Sequence, residues 1–152
     1  MKIATASYPL DVLSDWAAYE DKLTRWVEQG ALGGAELLVF PEYGAMELAT
    51  LAGPDVAANL EASLFAVADR LGAADALHAR LAAEFGVHIL AASGPATDAL
   101  PENVSRPVNR ARFFAPGGGR AVQDKQIMTR FEAEICGVVP GGPLQMFETT
   151  LG

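Results

Sequence analysis

Glu42 is the residue whose setting first suggests chemistry. It stands in LLVFPEYGAMEL, just past an apolar run that reads as a strand buried on both faces, and Pro41 stiffens the approach to it. In open α/β sheets the reacting groups gather beyond the carboxyl ends of the strands. A carboxylate at such a place loses part of its hydration, which disfavours the charged form and suits it to act as a general base. On spacing alone, a solvated glutamate at a strand end is the simpler reading. Cys136 is the one thiol in the chain and invites assignment as a nucleophile. No strand leads into ICG, however, so a modestly exposed structural thiol is expected there. Glu132 and Glu134, in RFEAEICG, read by themselves as solvated loop charge.

The elements that must hold Glu42 follow from periodicity. Residues 2–9, KIATASYP, read as a short strand ended by proline. After Ser14 as N-cap, Trp16, Tyr19, Leu23, Trp26 and Val27 recur at helical spacing, with Gly30 as the stop. ELLVF, 36–40, is the second strand. An alanine-rich helical region covers 54–85, with Gly72 as a break or kink, and VHILAAS, 87–93, is a third strand closed by SGP. Residues 95–107 are polar and irregular. VNRARFFA, 108–115, and RAVQDKQ, 120–126, form a hairpin across PGGG, and LQMFETT, 144–150, reads as a last strand. The order β-α-β-α-β followed by antiparallel hairpins predicts an α/β fold, a mixed sheet with helices on at least one face. The last strand stops at a turn without a returning partner, which leaves a sheet edge. Residues 1–152 are therefore expected to be the front part of a larger domain.

Composition narrows the function classes. A chain of 152 residues is long enough for one domain with a real core. The formal charge of −8, with eleven Lys and Arg scattered along the chain, argues against a nucleic-acid partner. No apolar run approaches the roughly 18 residues that cross a bilayer, and MKIATASYPL has no apolar signal region. A single cysteine excludes an internal disulfide, and a cytoplasmic protein is expected. His78 and His88 have no partners at ligand spacing and read as ordinary surface or core histidines, so no metal is expected. NVS at 103–105 reads as a polar loop, and GGG at 117–119 as a hairpin turn rather than a phosphate loop.

FPEYGAMEL, following a short strand and a first helix, resembles the opening of the nitrilase, or carbon–nitrogen hydrolase, superfamily in its amidase-like members. That family begins with a strand close to KIATASYP and carries its general-base glutamate in an F-P-E context. NRARFFAPGG and then DKQIMTRFEAE resemble its second pattern, N-x-A-x-F-x-x-x-G followed by a lysine before a long loop. The resemblance runs over essentially the whole chain. It implies the N-terminal portion of an α-β-β-α sandwich, with a mixed sheet and helices on one face. It also implies cleavage of a non-peptide C–N bond in a small amide, a carbamoylated amine or a nitrile, without cofactor, in a protein that is a homodimer when complete.

The resemblance places Glu42 on the general base and Lys125 on the lysine that steadies developing negative charge. It calls for a second carboxylate in the loop after the lysine, for which Glu134 is favoured over Glu132. The family's cysteine, in a context like I-C-Y-D-x-x-F-P at the end of a later strand, is expected shortly beyond Gly152. Residues 1–152 alone are then expected to be nearly inactive. Two alternatives stand beside this. One is a catalytically silent small-amide-binding or assembly module of the same fold. The other is a glycosidase-like pair, Glu42 with Glu134, which would leave Lys125 without a role. Tyr43, Met128 and Phe131, with the irregular segment 95–107, are candidates for pocket lining.

Overall fold

The computed structural model describes residues 1–100 and 102–152. Helix α1 spans Trp16–Leu32, and its cap is Asp15 rather than Ser14: Asp15 Oδ1 accepts the backbone N–H of Ala18 at 2.9 Å. The helix runs through Gly30 instead of stopping there. A Cβ at position 30 would collide with Leu38 Cδ2, so this glycine serves close helix–sheet packing, not termination. The expected single helix over 54–85 is two helices, α2 (Pro54–Ala58) and α3 (Leu60–Phe85). The break falls at Asn59, whose backbone is extended and whose Oδ1 caps Ala62 N–H at 2.9 Å. Gly72 lies inside α3 without interrupting it. Capping thus decided a boundary that glycine content did not.

Among the described residues five strands form one sheet in sequential order: β1 (Ile3–Thr5), β2 (Leu37–Val39), β3 (His88–Ala96), β4 (Val108–Phe114) and β5 (Arg120–Asp124). The first three are parallel, and β3, β4 and β5 are antiparallel. The β4–β5 hairpin closes across the glycines as expected, with Ala115 N–H donating to Gly119 O at 2.8 Å. Strand β3 does not stop at SGP but continues through Gly94 and Pro95, past an irregularity between Ala91 and Gly94. Its partner β2 pairs only with His88 to Leu90, so one edge of β3 is free beyond that point and tolerates proline.

The expected strand over 144–150 does not form. The N–H of Gln145 reaches β5 but ends on the side-chain Oε1 of Gln123, at 2.9 Å, rather than on a carbonyl. Without a ladder partner, an apolar run such as LQMF has no reason to be a strand, and Leu144 and Met146 stand exposed.

Alternation divides the sheet into two unlike faces. Leu38, Ile89 and Phe114 are neighbours in register, and they are buried with Leu23 and Val27 of α1 and Val67, Leu71 and Leu81 of α3 in one core. The opposite face carries Val39, Leu90 and Phe113, also in register and only partly covered. The chain is therefore one helix layer on one mixed sheet. Among the described residues no helix is long and apolar enough to cross a membrane.

Directly after Tyr43 the chain enters a 3-10 segment, Gly44–Ala52, that periodicity did not anticipate. Glu47 within it is 2 % exposed. Lys22 of α1 donates to Glu47 Oε2 and to the carbonyl of Pro9, each at 2.6 Å, and pairs with Asp11 at 2.8 Å. The Tyr8 hydroxyl donates to the other Glu47 oxygen, and the Lys22 ammonium sits 4.1 Å from the Tyr8 ring centre. This buried network ties the 3-10 segment, and with it the turn that carries Glu42, to α1.

Candidate active site

The strand β2 delivers Glu42 as expected, and the backbone then makes an unusual turn. Tyr43 is left-handed (φ 56°), a conformation that costs a residue with a Cβ on the order of 1–3 kcal/mol. Its N–H donates to Ser93 Oγ on β3 at 3.0 Å. Gly44 follows because a Cβ there would lie 2.8 Å from Ala92 Cβ. The turn is thus pressed against β3, and the Glu42 carboxylate reaches across to β4. There Asn109 Nδ2 donates to Glu42 Oε1 at 2.9 Å.

Lys125 arrives from β5. Its backbone N–H donates to Asn109 O at 2.9 Å, extending the β4–β5 ladder by one step, and its carbonyl accepts from Gly141 N–H at 2.8 Å. Arg110 grips the preceding Asp124 with two bonds of 2.6 and 2.9 Å. The Lys125 ammonium then donates to Glu42 Oε1 at 2.8 Å and to both oxygens of Glu132, at 3.0 and 2.8 Å. Glu42 and Lys125, 83 positions apart in the chain, meet as expected.

The loop carboxylate that meets Lys125 is Glu132, whereas Glu134, favoured from the sequence, does not contact it. Glu132 begins a π-helical turn, Glu132–Cys136, and is buried. Besides Lys125 it accepts the Tyr43 hydroxyl at 2.6 Å and the N–H of Thr129 at 2.8 Å. Glu134 is exposed and pairs with Arg130 at 2.8 Å. Side chains two positions apart on a helical turn do not share a face, so one of the two had to point away. Glu134 points to Arg130 rather than toward Glu42, which does not favour the glycosidase-like pairing of the two.

The electrostatics follow from the contacts. The hydrogen bonds it donates to Glu132 and then Glu42 push the Lys125 ammonium above its ordinary value. Burial, then the bond to Glu132, raises the Tyr43 hydroxyl well beyond its usual range. Burial alone would also raise the Glu132 carboxyl, but hydrogen bonds from Lys125, Tyr43 and Thr129 overcome it and bring the group down to about 2. A carboxyl whose folded value lies below its unfolded one stabilises the protein above the unfolded value. That contribution disappears as pH falls toward the folded one. The stability advantage of the natural protein over Glu132→Gln should therefore shrink by on the order of 3 kcal/mol between about pH 4.5 and about pH 2. Urea denaturation of both proteins across that range checks it.

Cys136 is buried rather than modestly exposed, packed with Leu64 and Val138. Burial, then the nearby Glu132 charge, raises its thiol. That environment disfavours the thiolate a nucleophile needs. Of the candidate lining residues, Tyr43 and Phe131 border a cavity shared with Glu42 and Lys125, whereas Met128 packs against the Leu64–Cys136–Val138 cluster. His78 and His88 are both buried. Burial lowers the His78 imidazole to about 4, so it is a neutral core group stacked on Phe114. Sequence reasoning assigned no role to Asn109, although it opens the N-x-A-x-F pattern. With one side chain and one carbonyl it holds both Glu42 and Lys125.

Solved structures share this fold. One is the carbon–nitrogen hydrolase from Helicobacter pylori G27, 18% identical over 92% of this chain and 44% of that one, with a TM-score of 0.62. Another is a CN-hydrolase superfamily protein from Xanthomonas campestris with an arsenic adduct in its active site, 21% identical over 98% of this chain and 47% of that one, TM-score 0.62. A third is a mutant of the amidase from Nesterenkonia sp. AN1 in which acrylamide has added to the active-site cysteine. It is 22% identical over 94% of this chain and 50% of that one, TM-score 0.55. No family profile and no curated protein matches the sequence. The chain has the α/β fold of the carbon–nitrogen hydrolase structures, and it spans about half the length of those it matches.

Proposed function

We propose that the complete protein cleaves a non-peptide C–N bond of a small amide, a carbamoylated amine or a nitrile, and that residues 1–152 supply all of the catalytic groups except the nucleophile. The observation that carries this reading is the Lys125 ammonium set 2.8 Å from the carboxylates of both Glu42 and Glu132, just beyond the ends of β2 and β5. A cysteine from outside residues 1–152 is the attacking group. Glu42 takes its proton, and sulfur bonds to the substrate carbon. Lys125 opposes the negative charge that develops on the carbonyl oxygen, or on nitrogen in a nitrile. For an amide, the C–N bond breaks as Glu42 returns the proton to the leaving amine. Water then attacks the thioester with Glu42 again as base, and the thiol is released. Glu132 keeps Lys125 charged and in place.

Ammonia release by the complete protein from a panel of primary amides, carbamoylated amines and nitriles tests the assignment. Turnover should fall about a hundredfold or more in Glu42→Gln and persist in Cys136→Ala. If Cys136→Ala abolishes it, the nucleophile is wrongly assigned. If the natural protein turns over nothing in the panel, the reading passes to a silent small-amide-binding module. Within residues 1–152 the buried, raised Cys136 thiol already favours that outcome for this portion alone.

A further inference from the structure

Behind the Glu42–Lys125 contact lies a chamber of about 340 Å³. Met46 of the 3-10 segment, Leu64 of α3 and Cys136 of the π-helical turn line it, and Leu60 and Phe131 line its more exposed parts. Its polar residues include Glu42, Tyr43, Lys125 and Glu132. The lone ammonium among them is already matched by two carboxylates, so the chamber offers no free cation to an anionic group. A second cavity, of about 550 Å³, also contains Glu42 and Lys125, but its lining includes Ser93, Asn109, Gln123, Asp124 and Gln126. Glu42 and Lys125 are thus common to a mainly apolar chamber and a more polar one.

Resting on the hydrolase reading, we infer that the apolar chamber receives the substituent on the scissile carbon, and that the substrate is an amide of an uncharged, apolar acid rather than one bearing a second carboxylate. An apolar cavity of roughly 150 Å³ already accepts a benzene-sized group. This chamber therefore has room for an alkyl chain of about six carbons, or a phenyl ring with a short linker. Exposed Phe131 stands where it can close over such a group, which gives an otherwise uncovered aromatic a partner. A carboxylate in the same place would be stripped of water beside Glu42 and Glu132, at a net repulsion.

The complete protein is assayed with hexanamide, acetamide and succinamate. Single methylenes in an apolar pocket are worth about tenfold or more in kcat/KM, so hexanamide should exceed both others by at least about tenfold. Leu60→Trp, at a partly exposed position, should cut the hexanamide-to-acetamide ratio severalfold. Equal rates for the three amides, a preference for succinamate, or an unchanged ratio in Leu60→Trp would overturn the inference.

A second readout needs no turnover. In Glu42→Gln protein, modification of Cys136 by methyl methanethiosulfonate, followed peptide by peptide in a mass spectrometer, should slow with hexanamide and not with acetamide. If the natural protein hydrolyses none of the three amides, labelling alone decides, and the hydrolase reading is judged separately on the wider panel of carbamoylated amines and nitriles. Selective protection then sustains the chamber as the apolar subsite, and equal labelling rates end it.

Discussion

Lys125→Met is expected to lower amide turnover by the complete protein about a hundred- to a thousandfold, the usual loss when one preorganised donor to a developing charge is removed. The same substitution should also cost stability, because the ammonium does two jobs. It stands 2.8 Å from Glu42 and from Glu132, and without it two carboxylates face each other with only neutral donors between them. Glu132 is the more affected, since it is buried and cannot replace the lost partner with bulk water. Lys125 itself is about a quarter exposed and Glu42 more than half, so the penalty should be less than for a fully buried pair, roughly 2 kcal/mol. Lys125→Arg should not restore turnover. A planar, forked guanidinium cannot occupy the point between two carboxylates that a compact ammonium fills. Initial rates of ammonia release and urea denaturation, measured on the same preparations, read both effects. A methionine variant with normal rate and normal stability would remove Lys125 from the site altogether.

The second large effect is expected far from any substrate. Lys22→Met should destabilise the protein by about 3–5 kcal/mol, the penalty for leaving one partner of a buried ion pair uncompensated. Lys22 and Glu47 are both almost wholly enclosed, and their 2.6 Å contact is supported by Pro9 O and the Tyr8 hydroxyl. Removing only the cation leaves the Glu47 carboxylate buried beside a tyrosine whose hydroxyl is already pushed upward by burial and by Glu47. Replacing both, as Lys22→Met with Glu47→Leu, removes the two charges together and should recover much of the loss. Urea midpoints for the two single variants and the double variant give the coupling directly. A cost below about 1 kcal/mol for Lys22→Met would mean the pair behaves as a surface contact, against its burial. The same network anchors the 3-10 segment five residues beyond Glu42, so Lys22→Met should also loosen the turn at Tyr43.

Much of the framework was written in short-range signals. The continuous apolar run before Pro41 read as a strand buried on both faces and placed Glu42 just past its end. Strand β2 forms there, but only Leu38 of it is buried, because its other face is partly uncovered. The PGGG hairpin formed because glycine permits its turn, with Gly118 at φ 89°. Helical spacing of Trp16, Tyr19, Leu23 and Val27 gave α1 its buried face, with Tyr19, Leu23 and Val27 in the core. Such features depend on neighbours within one or two turns of the same residue, and their physical causes are visible in a single stretch of chain.

What the tertiary structure decided are the matters settled by distant partners. Glu132 and Glu134 are indistinguishable by spacing. The choice fell to Glu132 because Tyr43, 89 positions away, and Lys125 converge on one side of the π-helical turn. Cys136 is buried because α3 brings Leu64 over it, which nothing in ICG announces. The run LQMFETT has strand composition, yet no strand forms, because pairing needs a neighbour's free edge in register and composition cannot supply one. The sequence alone determined that a carboxylate would stand at the end of an apolar strand. Only folding determined which groups would stand around it, because their hydrogen bonds join segments that share no local pattern.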